Sequence, residues 1–175
     1  MKTIRTLLLL VGLLALFPLA TQAQSKNIAV GLRLGEPTGI NVKKYLSNGN
    51  ALDFVLGGNG YGYHRGRRYW RDEYEYRPGL VLMVNYLWQN QISGVDGLEW
   101  YAGVGGQVGS RRYWNRRERR EYQTGNLGLT GMIGIEYFIP STPISLGLDL
   151  GPYIELTPAP AWVWFDGGFS IRVNF

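Results

Sequence analysis

The tetrapeptide RRYW occurs twice in the chain, as Arg67–Trp70 and as Arg111–Trp114, 44 residues apart. Each copy opens a longer run of arginine, acid and aromatic, RRYWRDEYEYR and RRYWNRRERREYQ. Guanidinium groups present a planar fork of donors that suits phosphate, and they stack on indole and phenol rings. Arg67, Arg68, Tyr69 and Trp70, with Arg111, Arg112, Tyr113 and Trp114, are therefore the candidate surface-binding residues. Stacking of arginine on aromatic rings across a hairpin, at ~0.5–1 kcal/mol per exposed pair, would stiffen each copy. The repeat could equally record duplication of one hairpin.

Other candidates for chemistry are sparse. His64 is the only histidine and the chain has no cysteine, so no metal or cofactor site is expected. His64 could act as a general base toward Ser110, with acids nearby, or be a solvated loop histidine. GVGGQVG (Gly103–Gly109) lacks the glycine spacing of a dinucleotide loop and precedes no helix. Its glycines fit better as relief of crowding. No catalytic residue is assigned.

The elements that must position these residues begin after an export signal. Lys2 and Arg5 precede the apolar stretch Leu7–Phe17, and TQAQ supplies small residues at Thr21 and Ala23. Residues 1–23 are read as a cleaved signal peptide and 24–175 as one domain. The apolar stretch falls short of the ~20 residues of a spanning helix. With no cysteine, an exported domain must be stabilised without disulfides.

Loss of Lys2 and Arg5 takes the formal charge from +5 to +3. Tyr61–Arg77 holds five arginines against three acids, and Ser110–Gln123 holds six against two. Those two segments exceed the total, so the remainder is net acidic. The basic character is local, which disfavours a nucleic-acid-coating protein.

Period two dominates the domain and predicts strands. In FSIRVNF, Phe169, Ile171, Val173 and Phe175 share one face while Ser170, Arg172 and Asn174 share the other. The same alternation runs through Ile28–Leu34, Ile40–Lys43, Ala51–Leu56, Leu80–Trp88, Leu98–Val108, Leu127–Tyr137 and Ile144–Leu150, which makes eight strands. SNGN (Ser47–Asn50) and PSTP (Pro140–Pro143) are tight turns, and Gln89–Gly97 is a moderate one. These lie at the end where the domain starts and stops. The opposite end carries the short Glu36–Thr38 link, both RRYW segments and Thr157–Ala161.

The less apolar face carries Arg33, Lys43, Asp53, Glu99, Glu136, Asp149 and Arg172 among many glycines. An eight-stranded barrel encloses just enough room for side chains, so these charges are expected to pair and plug its lumen. Tyr86, Trp88, Trp100, Tyr137 and Phe175 lie on the apolar face near the short-turn end, as a headgroup-level aromatic girdle requires. A soluble lipocalin-like barrel, apolar inside and binding a ligand there, is the inverse alternative.

The export signal, eight alternating strands and terminal Phe175 together resemble the small eight-stranded outer-membrane barrels of Gram-negative bacteria, the OmpA/OmpX type. The resemblance implies an all-β, eight-stranded antiparallel up-and-down transmembrane β-barrel in the outer membrane. No peptidoglycan-binding domain is expected, since the sequence stops with the barrel. It further implies that Phe175 belongs to a strand signal read by the barrel-assembly machinery. In such a membrane the basic loops would face lipopolysaccharide phosphates or another surface ligand, and the chain is expected to be a monomer. Some barrels of similar outline modify lipid A acyl chains with a serine, a histidine and an acid at the outer rim. His64 lies at the corresponding end, so a lipid A-modifying enzyme remains the alternative function.

Overall fold

The computed structural model describes residues 27–58, 74–77, 79–115, 118–157 and 160–175. The proposed signal peptide, the first RRYW copy and His64 lie outside the described residues. Among those described, all regular structure is strand: β1 (Ile28–Gly35), β2 (Thr38–Tyr45), β3 (Asn50–Gly58), β4 (Tyr74–Arg77), β5 (Leu80–Gln91), β6 (Leu98–Asn115), β7 (Arg120–Phe138), β8 (Ile144–Thr157) and β9 (Trp162–Asn174).

Eight of these close a ring. β1 pairs antiparallel with β2, and the pairing continues through β3, β5, β6, β7, β8 and β9. β9 returns to β1 from Ala29↔Asn174 to Gly35↔Gly168. Every strand then has two neighbours, so no edge of unpaired N–H and C=O groups faces outward along the wall. The short β4 stands outside the ring and pairs with the far end of β6, from Tyr74↔Asn115 to Arg77↔Arg112.

Period two sorts the side chains as expected. Outward positions are apolar and bare: Leu32 is 63% exposed and Phe165 69%. Inward positions include Arg33, Lys43, Asp53, Glu136, Asp149 and Arg172, all buried. An apolar exterior around a charged interior is the inverse of a lipocalin and fits a hydrocarbon solvent. The chain is an all-antiparallel, up-and-down, eight-stranded transmembrane barrel.

The interior is not polar throughout. Ala51, Val55, Met83, Leu87, Tyr101 and Met132 form a buried apolar cluster inside the ring. β5 supplies Met83 and Leu87, because its inward face carries Val81, Met83 and Leu87 beside Asn85 and Gln89. Two further boundaries differ from the sequence reading. β8 continues beyond Leu150 to Thr157 and turns Tyr153 and Glu155 inward. β6 and β7 run 18 and 19 residues, well past the wall.

At the short-turn end, Leu46 N–H donates to Asn50 C=O at 2.8 Å, closing the SNGN turn. Gly97 adopts φ 79°, and a Cβ there would lie 2.5 Å from the Phe138 carbonyl oxygen. Trp88, Trp100, Tyr137 and Phe175 are exposed on the outer wall of this end. Tyr86 meets Trp88 edge-on at 5.4 Å and accepts a 2.6 Å hydrogen bond from Asn50 at its hydroxyl.

Phe175 joins the last strand of the barrel to the first. Its N–H donates to Ile28 C=O at 2.8 Å, and its own oxygen accepts from Asn27 N–H at 3.2 Å. Deleting Phe175 removes these bonds and an outward ring at the lipid boundary. It is expected to lower the yield of folded, heat-modifiable barrel more than deleting Glu118 in the distant β6–β7 turn. Equal folded yields on semi-native gels would contradict that assignment.

Candidate functional site: the lumen and the basic hairpin

The lumen near the short-turn end is organised around Glu136. Its Oε2 accepts from Lys43 Nζ at 2.6 Å and Gln89 Nε2 at 2.9 Å. Its Oε1 accepts from Arg172 Nη1 at 2.9 Å, Tyr45 OH at 3.0 Å and Ser145 Oγ at 3.2 Å. These donors come from β2, β5, β8 and β9, so one carboxylate on β7 ties five strands across the lumen.

Arg172 extends the network. Its Nε donates to Asn41 Oδ1, and Nη2 lies 3.7 Å from Asp53 Oδ1. Asn41 Nδ2 donates in turn to Asp53 Oδ1 at 2.8 Å. Two cations, Lys43 and Arg172, thus meet two anions, Asp53 and Glu136, and the layer is neutral. Lys43 Nζ also sits 4.4 Å from the Tyr101 ring centroid. Glu99 accepts from Gln89 at 2.7 Å at the lower margin.

A second pair lies one layer further along. Arg33 Nη1 donates to Asp149 Oδ2, and Tyr101 OH reaches the same oxygen at 3.4 Å. The long side chains fit because glycines face them. A Cβ on Gly168 would come 2.3 Å from Arg33 Cζ, and one on Gly147 would come 2.7 Å from Arg172 Nη1. Higher still, Thr130 donates to Asn85 at 2.6 Å and Asn126 to the Tyr153 hydroxyl at 3.2 Å.

The structure therefore brings Lys43, Asp53, Glu136 and Arg172 into one network and Arg33 with Asp149 into another, with Glu99 at the edge of the first. Sequence reasoning missed Asn41, Gln89 and Tyr45, which carry bonds between the charges. The inward parity of Asn41 was legible, but a neutral side chain gives no sign of which ion it serves. Tyr45 lies past the alternation read for its strand, and Gln89 falls in the stretch expected as a turn, whereas β5 runs to Gln91. Glu155, also buried, was missed because the alternation of β8 was followed only to Leu150.

The second RRYW copy lies where β6 leaves the wall. The β5–β6 ladder ends at Val81↔Gly109 and the β7–β8 ladder at Leu127↔Thr157, yet β6 and β7 stay paired to Asn115↔Arg120. In that extension Arg111 faces Thr124, Arg112 faces Gln123, Tyr113 faces Tyr122 and Trp114 faces Glu121. β4 adds a third strand and sets Arg77 opposite Arg112. Arg67, Arg68, Tyr69 and Trp70 lie outside the described residues. So does His64, and Ser110 faces Gly125 within the β6–β7 ladder. Among the described residues, no group of three or more His, Cys, Asp or Glu could hold a metal ion.

An apolar exterior, a closed ring and an ion-paired interior define a small transmembrane barrel. No protein-family profile and no curated protein matches the sequence. Among solved structures, the crystal structure of Ail, the attachment invasion locus protein of Yersinia pestis, aligns with a TM-score of 0.50 at 10% identity, covering 84% of this chain and 92% of that one. Neisserial surface protein A (NspA) aligns with a TM-score of 0.48 at 12% identity, over 85% and 93% of the two chains. In fold the chain resembles the small eight-stranded outer-membrane barrels, as the alignment with Ail shows.

The network sets a stability expectation. Glu136→Ala leaves Lys43 and Arg172 buried beside a missing anion and should cost about 3–5 kcal/mol. Lys43→Met combined with Glu136→Gln removes a cation and an anion together, leaves Arg172 with Asp53, and should recover most of that loss. Urea unfolding in lipid vesicles, read by gel mobility, compares the variants. A double variant no more stable than Glu136→Ala would refute this account of the lumen.

Proposed function

We propose that this chain is an outer-membrane protein, exported by a cleaved signal, inserted by the barrel-assembly machinery and acting as a monomer. In this reading the barrel is an anchor and the hairpins beyond it make the functional contacts. The export signal, the terminal Phe175 and the barrel fold support the location.

The observation that carries the proposal is the continuous β6–β7 ladder beyond the wall. From Ser110 to Asn115 it projects about 20 Å at ~3.3 Å per residue. Together β4, Ser110–Asn115 and the described residues 118–126 hold five arginines against three glutamates. A paired backbone fixes the spacing of those cations, so less ordering entropy is lost when they meet a phosphate surface. We assign the arginine and aromatic clusters to the anionic phosphates of lipopolysaccharide, with the barrel lumen closed by its ion pairs rather than serving as a pore.

Two measurements test this. Replacing Arg67, Arg68, Arg111 and Arg112 with glutamine should leave the barrel folded and weaken binding to lipopolysaccharide. Wild-type binding should also fall with salt, as exposed charges are screened over ~8–10 Å. Lysine replacements should restore only part of the affinity, because an ammonium lacks the planar fork. Glutamine variants that bind as well as wild type at low salt would assign the clusters to another ligand, leaving Trp70 and Trp114 for the next substitution. Independently, purified barrel in planar bilayers should show little steady conductance, and large stable channels at ordinary voltage would exclude a closed lumen.

A further inference from the structure

One seam of the wall differs from the other seven. The β7–β8 ladder runs Gly128↔Glu155, Leu129↔Ile154 and Thr130↔Tyr153, then resumes only at Ile133↔Leu150. A register shift at Leu127/Gly128 bounds the same short stretch above. The other seven seams keep unbroken registers along their whole pairing.

The cause of the gap is Pro152. It has no N–H to give to β7, and it lies against Gly131, where the ladder is interrupted. Proline inside a fully paired strand is rare for this reason. On the other side β8 stays in register with β9, including Pro152↔Phe165. The defect therefore belongs to the β7–β8 seam alone.

A cavity of about 10 Å³ lies at this gap, bordered by the wall at Gly131 and Pro152, by Met83 and Met132, and by the charged Arg33 and Asp149, with Glu36 and Asp166 also on its rim. It is close to the smallest space that holds one water. Met83 and Met132 are the only methionines after Met1, and both line it. Methionine is the most adaptable apolar side chain, so this part of the interior can yield where a branched residue would not. Arg33 is 2% exposed, and its Nε has no hydrogen-bond partner.

We propose that the β7–β8 seam at Pro152 is where the wall opens sideways, joining the lumen at the level of Arg33 and Asp149, above the Lys43–Glu136–Arg172 layer, to the surrounding lipid and admitting small uncharged molecules that carry a hydrogen-bond acceptor. The missing hydrogen bond lowers the cost of parting these strands, and the two methionines give way behind it. Arg33 Nε offers a donor to a polar atom on the entering molecule. The Lys43–Glu136–Arg172 layer lies nearer the short-turn end and stays closed.

The chain has no cysteine, so one introduced thiol reports on the seam. Thr130→Cys places it on the buried, lumen-facing side of β7 beside the gap. With the barrel in phosphatidylcholine vesicles, pyrene maleimide supplied from the lipid phase should label this thiol. Pro152→Val in the same background restores the N–H and should slow labelling by about tenfold, the scale of one backbone hydrogen bond. A charged, water-soluble thiosulfonate reports entry through the lumen mouth, and its rate should not change with Pro152→Val. Equal pyrene maleimide rates with proline and valine would overturn the proposal, as would a loss of both reagents' labelling together. Amide exchange on the unmodified protein gives a check free of substitutions. Thr130–Ile133 should exchange about tenfold faster than Ile40–Lys43 in the unbroken β2–β3 ladder, and equal protection would also overturn it.

Discussion

Closure of the hydrogen-bonded ring is the constraint from which the rest of this molecule follows. In hydrocarbon an unpaired peptide group has no water to turn to, so a strand protein can cross only as a closed barrel. Eight strands close around a space about one side chain wide from each wall. Whatever points inward must then find its partners among the other inward residues. Glu136 is where this is most acute, since it accepts from Lys43, Gln89, Arg172, Tyr45 and Ser145.

The energetics of that interior are those of a compensated burial rather than of a strong glue. Each ion loses its hydration, and the Coulomb attraction offsets the loss only when the geometry is complete. Asn41 between Arg172 and Asp53 shows how completion is reached, for it accepts from one and donates to the other. The glycines opposite Arg33 and Arg172 belong to the same solution, because a methyl group there would occupy the guanidinium's place. The apolar cluster around Met83 and Met132 fills the remainder without any demand for partners.

Two departures from a uniform wall carry the proposals for function. One is outward along the axis, where β6 and β7 remain paired after their other neighbours stop and β4 joins them. That geometry converts an arginine-rich loop into a ladder with fixed cross-strand spacing. The other is sideways, where Pro152 has no N–H to give and the β7–β8 ladder skips two residue pairs. In the proposed reading, the first is what the barrel presents to an anionic surface, and the second is how its interior communicates with lipid.

The sequence by itself determined the strand character, the two faces and the orientation of the turns. Period two is a local property, and an alternating segment has one face for hydrocarbon and one for everything else. It also exposed the inward set from Arg33 to Arg172, since charge on the buried face of an eight-stranded barrel has few other meanings. What it left undecided depends on contacts between residues distant in the chain. Which cation meets which anion depends on register around the ring, as Lys43 and Glu136 show at 93 positions apart. The neutral bridges Asn41 and Gln89, the apolar inward face of β5 and the reach of the β6–β7 ladder needed neighbouring strands to become visible. Pro152 is plain in the sequence, but only its tertiary partner Gly131 turns a missing N–H into a break in the wall, because a ladder hydrogen bond is a property of two strands.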